Sequence, residues 1–170
     1  MISAIVCVDE NWGIGCNGEL LVHIPEDMKF FKEKTIGSTV IMGRKTYDSL
    51  QKKPLENREN VVITNSPMLK DGVVFVNLNR VKDVFEFMSK INEHECNDMF
   101  IIGGGQIYKE LLPYCKYAYV TKVYHAYENV DTYFPNIENM DEWEIESDSE
   151  VKEYNGVKYQ FCTYIRRCNR

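Results

Sequence analysis

At 170 residues, with 44% hydrophobic and 27% charged content, the chain has the composition of a globular domain long enough to bury a sizeable core. A net charge of −6 excludes a general nucleic-acid binder, and no basic stripe marks the chain for a membrane surface. No apolar run approaches the ~18 residues of a transmembrane helix. The six cysteines form no C-x-x-C pair and follow no signal-like start, which predicts reduced thiols and a cytoplasmic protein. His23, His94 and His125 lack metal-ligand spacing, so no metal is expected.

In chain order, Ile2–Val8 reads as a buried strand and Asp9–Ile24 as a long loop with Gly13, Gly15 and Gly18. A proline in the first turn opens a helix from Pro25 to about Thr35. Thr39–Gly43 is a buried strand, Arg44–Leu50 a short helix, and Asn60–Thr64 and Val73–Val76 are further strands. Val81, Val84, Phe85, Met88 and Ile91 recur at helical spacing. The strand Asp98–Ile102 runs into Gly103–Gly105 and then into a helix, Gln106–Leu112, that Pro113 stops. Beyond it, Tyr117–Tyr124, Glu142–Tyr154 and Val157–Arg166 read as strands, the last two joined at Asn155-Gly156, a strong hairpin signal. This order predicts a three-layer α/β fold. A mostly parallel central sheet carries helices on both faces, with an antiparallel C-terminal hairpin at its edge. Residues 1–170 are expected to form a single domain.

Ligands of such sheets bind beyond the carboxyl ends of the strands. There the sequence places Arg44-Lys45-Thr46 after Gly43, and a helix start after three glycines. Free backbone N–H groups beside cations suit phosphate. Glycines let a phosphate or a flat ring approach bare backbone, although a tight turn uses them equally. The spacing is neither G-x-G-x-x-G nor a P-loop. In "HIPEDMKFF", His23–Phe31, helical phase sets Asp27 with Phe30, Phe31 and Lys34, and Glu26 with Lys29 and Glu33. Asp27 is therefore expected to face an apolar site and Glu26 water, although two acids in a first turn also complement the helix dipole. A half-buried acid needs a partner, which a ligand edge with two N–H donors supplies. Desolvation then raises its pKa toward the range useful for acid–base work.

The motifs "GIG" (Gly13–Gly15), "IPED-x-x-FF" (Ile24–Phe31), "VIMGRKTYDSL" (Val40–Leu50), "IIGGGQIY" (Ile101–Tyr108) and "DTYFP" (Asp131–Pro135) occur in that order. The chain thereby resembles the dihydrofolate reductase family from Ile2 to about Arg167. The resemblance implies NADPH-dependent reduction of 7,8-dihydrofolate to tetrahydrofolate for one-carbon metabolism, by hydride transfer to C6 and protonation at N5. By position it makes Asp27 the carboxylate that binds the pterin edge and promotes protonation, and Thr121 its hydrogen-bond partner. Leu20 becomes a loop residue that covers the nicotinamide, and a water admitted by that loop becomes the proton carrier. Ile5, Met28, Phe31, Leu50, Leu55 and Ile102 match the apolar substrate pocket, with Tyr108 beside it. Arg58 and Lys53 match positions near the glutamate tail, where a planar guanidinium suits a carboxylate.

For the cofactor, Cys7, Ile14 and Gly15 match residues around the nicotinamide. Gly18 and Glu19 lie in the same stretch, Gly13 to Leu20, which resembles the family's mobile closing loop. Gly43, Arg44, Lys45 and Thr46 match the phosphate-binding helix start, and Thr64, Asn65, Ser66 and Arg80 the adenosine side. Gly103, Gly104, Gly105, Gln106, Ile107 and Tyr108 match the pyrophosphate and nicotinamide contact, with a cis peptide joining the first two glycines. Three positions depart from the family: Val22 and Phe30 replace frequent tryptophans, and Gln106 replaces a frequent arginine near the 2′-phosphate. The implied partners are dihydrofolate and antifolate inhibitors, with no nucleic acid or membrane. The default assembly is a monomer without a fused thymidylate synthase. Two alternatives remain: a same-fold pyrimidine reductase of riboflavin synthesis, and a nonenzymatic folate- or nucleotide-binding module. The joint presence of Asp27, Arg58 and Thr121 favours folate, and the retained loop glycines favour catalysis.

Overall fold

A computed structural model describes residues 1–89 and 97–167; Ile91, His94, Cys96 and Cys168 lie outside the described residues. In chain order the elements are β1 (Ile2–Val8), β2 (Gly13–Cys16), β3 (Glu19–Leu20), α1 (Pro25–Thr35), β4 (Thr39–Gly43), α2 (Arg44–Ser49), β5 (Glu59–Ile63), β6 (Val73–Val76) and α3 (Leu78–Met88). They continue with β7 (Met99–Gly103), α4 (Gly105–Leu111), β8 (Tyr117–Val123), β9 (Thr132–Tyr133), β10 (Trp143–Asp148), β11 (Lys152–Tyr154) and β12 (Val157–Arg166).

The main sheet runs β10–β12–β8–β1–β7–β4–β5–β6, with β11 also on β12. Pairs from β8 through β1, β7, β4 and β5 to β6 are parallel, and β12 is antiparallel to β8, β10 and β11. Continuous apolar runs such as "ISAIVCV" form strands here because both faces are covered. Neighbouring residues of one strand feed different layers. Ile41 joins Ala4, Val6, Ile101, Val120 and the helix residues Val81, Phe85 and Leu111. Val40 and Met42 join Val62 and Tyr47 of α2. So α3 and α4 cover one face, and α2 covers the other. On that second face α1 sets Phe30 at 4.8 Å from the Phe161 ring and 6.4 Å from Tyr119. Each fully buried aliphatic or aromatic side chain in these layers contributes roughly 1.5–3 kcal/mol.

Two expectations are corrected. The predicted loop Asp9–Ile24 contains an antiparallel hairpin, β2–β3, and β2 also pairs with β9. Its turn, Asn17-Gly18, has φ of 51° and 80°, the left-handed pair that matches strand twist. The partner strand is more than a hundred residues away, beyond any local pattern. The predicted strand Glu142–Tyr154 is two strands, β10 and β11. Ser149 separates them: its N–H donates to the Phe161 carbonyl at 2.8 Å and its hydroxyl accepts the Phe161 N–H at 3.1 Å. A register shift between Ile145 and Ser147 already breaks the alternation. The Asn155-Gly156 hairpin forms as expected, with φ of 48° and 78°. Among the described residues no helix is long and apolar enough to cross a membrane.

Candidate active site

The parallel register brings several strand ends to one edge. Met42 lies opposite Gly103, Gly43 opposite Ile63, and Ile63 opposite Val76. Arg44, Thr64, Asn77 and Gly104 therefore all leave the sheet on the same side, where ligands of such sheets sit. Backbone approaches backbone there. A Cβ on Gly43 would lie 3.8 Å from the Gly104 nitrogen, and Cβ atoms on Gly103 and Gly104 would meet Thr46 Oγ1 at 3.4 and 3.3 Å. The Gly103–Gly104 peptide is cis. On the flank, Ser66 N–H donates to Thr64 Oγ1 at 3.1 Å, and Asn77 caps α3 by accepting Arg80 N–H at 2.9 Å. Asn65, Arg80 and Lys45 are exposed. Arg44 is held beside them, its Nε donating to Asp48 at 3.1 and 3.0 Å and its guanidinium 5.9 Å from the Phe75 ring. Gln106, in contrast, turns away to Glu110 at 3.0 Å, and Glu110 is paired with Lys82.

On the α1 side the two acids separate as helical phase requires. Asp27 is half-buried and accepts the Thr121 hydroxyl at 2.6 Å. Burial pushes the Asp27 carboxyl above its ordinary range, against the lowering effect of Thr121. Glu26 is exposed and paired with Lys152 at 2.8 Å, and the bonds from Lys152 and Tyr159 pull its pKa down. Thr121 stands opposite Cys7 of β1. Burial, then the charges of Asp27 and Asp9, push the Cys7 thiol up, so it stays protonated. Ile5, buried at 5% exposure, gives its carbonyl to the Tyr108 hydroxyl at 2.7 Å. That commits the Tyr108 hydroxyl to the frame, and burial drives its pKa far up.

Arg58 closes the far end. Its Nε donates to Thr35 Oγ1 and its Nη1 to the Glu56 carbonyl, both at 2.8 Å, and the guanidinium lies 5.9 Å from the Phe31 ring. Leu50, Leu55 and Ile102 pack on the Val40–Met42–Tyr47–Val62 cluster between these ends. Met28 is 45% exposed, and Lys53 is turned to the Asp48 carbonyl, 5.8 Å from the Tyr47 ring.

Above the β1 end, Cys7, Ile14, Leu20 and Val22 line one small cleft with Asp9 and Val123. Gly15 pairs with Leu20 inside the hairpin, and Gly18 and Glu19 are exposed at its tip. Two acids that hold this hairpin have no role in the sequence reading. Asp9 accepts the N–H groups of Asn11, Gly13 and Tyr127 at 2.9, 2.8 and 3.2 Å. Asp131 accepts Asn17 N–H at 2.8 Å and the Thr132 hydroxyl at 2.7 Å. The "DTYFP" motif was the available signal for Asp131.

The dihydrofolate reductase family profile matches residues 1–166. The chain belongs to the dihydrofolate reductase family. It is 37% identical over 169 residues to the dihydrofolate reductase of Bacillus subtilis, covering 98% of this chain and 95% of that one. It is 34% identical over 164 residues to that of Haemophilus influenzae, covering 96% and 95%. The solved dihydrofolate reductase of Enterococcus faecalis, in complex with NADP(H) and RAB-propyl, superposes with a TM-score of 0.82 at 34% identity, over 99% of this chain and 97% of that chain. The positions where the chain departs from the family's frequent residues are packed rather than vacant. Val22 joins the Ile24–Val123–Tyr159 cluster, and Phe30 fills its place against Phe161. Gln106 is engaged within its own helix.

Proposed function

We infer that the chain catalyses NADPH-dependent reduction of 7,8-dihydrofolate to 5,6,7,8-tetrahydrofolate, on family membership and on one observation above all: the half-buried carboxylate of Asp27, bonded to Thr121. When bound, NADPH supplies the hydride for C6. The cofactor fits this chain because the cradle at Gly43, Gly103 and Gly104 is one that Cβ atoms would fill, with Thr46 at its floor and Arg44 and Lys45 beside it. Arg44, Lys45, Thr46, Thr64, Asn65, Ser66 and Arg80 hold the phosphates and the adenosine. Cys7, Ile14 and Leu20 line the cleft that takes the reacting end, with Gly15 paired to Leu20 beside it. Confinement there makes the transfer effectively intramolecular.

Asp27 binds the pterin N–H edge, oriented by Thr121, and its raised proton affinity favours the protonated state that N5 requires. Ile5, Phe31, Leu50, Leu55 and Ile102 wall the substrate, and Arg58 takes the tail carboxylate with the N–H groups left over from its bonds to Thr35, Glu56 and Lys32. One chain supplies all these groups, which supports a monomer working on small molecules; the relative solved with NADP(H) and RAB-propyl supports antifolates as inhibitors, and unpaired cysteines among the described residues support a cytoplasmic protein.

The test is NADPH oxidation with dihydrofolate, wild type against Asp27→Asn across pH. Asparagine keeps the shape and removes the ionisable group. A loss of at least about 100-fold near neutrality that shrinks in acid is expected. An unaffected variant removes Asp27 from its role, and a folded wild type without turnover removes the activity.

A further inference from the structure

The first turn of α1 carries no capping side chain: Ile24 occupies the N-cap and makes no side-chain bond. The turn that presents Asp27 therefore depends on tertiary contacts. Glu26 provides them. Its carboxylate pairs with Lys152 Nζ at 2.8 Å and accepts a hydrogen bond from the Tyr159 hydroxyl. Lys152 lies on β11 and Tyr159 on β12, so one carboxylate ties the helix start to both strands of the C-terminal hairpin. Tyr159 is buried at 3% exposure among Ile24 and Val123. Its ring meets Phe161 at 5.8 Å, and Phe161 meets Phe30 at 4.8 Å. The helix is thus fastened to the hairpin at residues 26 and 30, and Asp27 between them turns to Thr121 on β8.

Charge gives the same contact a second consequence. Glu26 is the residue before Asp27, and the Tyr159 phenol feels both carboxylates. Around Asp27 stand Cys7 of β1, Thr121 of β8, Tyr108 of α4 and Tyr159 of β12, all neutral near pH 7. Beside Glu26 the cations are Lys152 of β11 and Lys29 of α1. Burial and the bond to Glu26 push Tyr159 up to about 12, so it remains a neutral donor.

We propose that Lys152 and Tyr159 are positioning residues for the reaction: they hold Glu26, which fixes the uncapped first turn of α1 and neutralises the carboxylate next to Asp27. The proposal rests on the dihydrofolate reductase reading of Asp27. It is tested by the pH dependence of the hydride-transfer rate at low ionic strength, in wild type, Lys152→Met, Glu26→Gln and the double variant. The Lys152 side chain is 31% exposed, so methionine replaces its stem without opening a cavity. In Lys152→Met the Glu26 charge loses its ion-pair partner and keeps only Lys29, itself shared with Glu33, so the proton on Asp27 is held more tightly. At a fixed pH on the alkaline limb, this variant should keep about twofold more of its own acid-limit rate than wild type does. The gain should fade in about 0.5 M salt, where exposed charges are screened. It should vanish in the double variant, which lacks the Glu26 charge. Tyr159→Phe keeps the ring, removes the donor and should move the limb the same way.

A Lys152→Met profile that superimposes on wild type overturns the proposal. So does a uniform rate loss in all variants with unmoved profiles, which would mark a structural anchor only. A wild type that fails to turn over dihydrofolate overturns the underlying reading instead, and is seen before any variant is compared.

Discussion

Asp27 is kept where its charged form is disfavoured, and stability should record this without any turnover. Burial raises its pKa in the folded chain above the ordinary value that it has when unfolded. The folded state then binds the proton more tightly. The stability this contributes is full below the unfolded pKa and is lost as pH rises through the raised, folded one. Asp27→Asn cannot ionise and does not suffer that loss. Its ligand-free Tm should exceed that of wild type by a few degrees at neutral pH, and the two should converge in acid. A Tm difference that does not change with pH would show that the carboxylate is not held unfavourably. Glu26 runs the other way: lowered by Lys152 and Tyr159, it contributes stability that is lost as pH falls. Helical phase alone told these two neighbours apart, because it depends only on 100° per residue. It could not reveal what Glu26 binds, since its partners lie 126 and 133 residues away.

At the scale of elements, the start of α4 is set against β9 so closely that its glycine is a packing requirement. A Cβ on Gly105 would lie 2.9 Å from Thr132 Cγ2 and 3.0 Å from the Tyr133 carbonyl oxygen. The side chain can yield, but the backbone oxygen cannot without moving β9, and β9 pairs with β2 of the hairpin over the site. Gly105→Ala should destabilise the fold by about 1–3 kcal/mol and weaken NADPH binding with it. Urea unfolding and a cofactor titration check the two parts; an unchanged titration would uncouple α4 from the site. The strands β1, β4 and β7 and the helices α1 and α3 were legible in sequence because apolar runs and periodic faces are local signals. The β2–β3 hairpin was not. Its short strands carry little hydrophobic pattern, and pairing with β9 and Asp131 supplies what fixes them. The β10–β11 break was hidden for a like reason, since Ser149 acts through Phe161 on another strand.

Across the whole molecule the sheet divides two jobs. Thr121 and Cys7 alternate with Val120 and Val6, so the acid and its partner open on one face while the larger core cluster lies on the other. Phe85 of α3 belongs to that larger cluster, is 1% exposed and meets the Tyr114 ring at 5.7 Å. Phe85→Ala removes a ring from close packing and should cost about 3–5 kcal/mol. The ring that Phe85 meets is Tyr114, not Asp27, Thr121 or Arg58, so kcat/KM for dihydrofolate should stay within about twofold wherever the variant is folded. Binding to the folded state alone stabilises by mass action, so NADPH at one hundred times its Kd should return about 2.7 kcal/mol to wild type and variant equally. The check is paired: unfolding with and without NADPH, and steady-state kinetics well below the variant's Tm. Equal ligand gains with unchanged kcat/KM would place stability and chemistry on opposite faces. A variant that is folded yet tenfold slower, or gains less from NADPH, would mean that the sheet transmits packing on α3 to the strand ends that hold the cofactor.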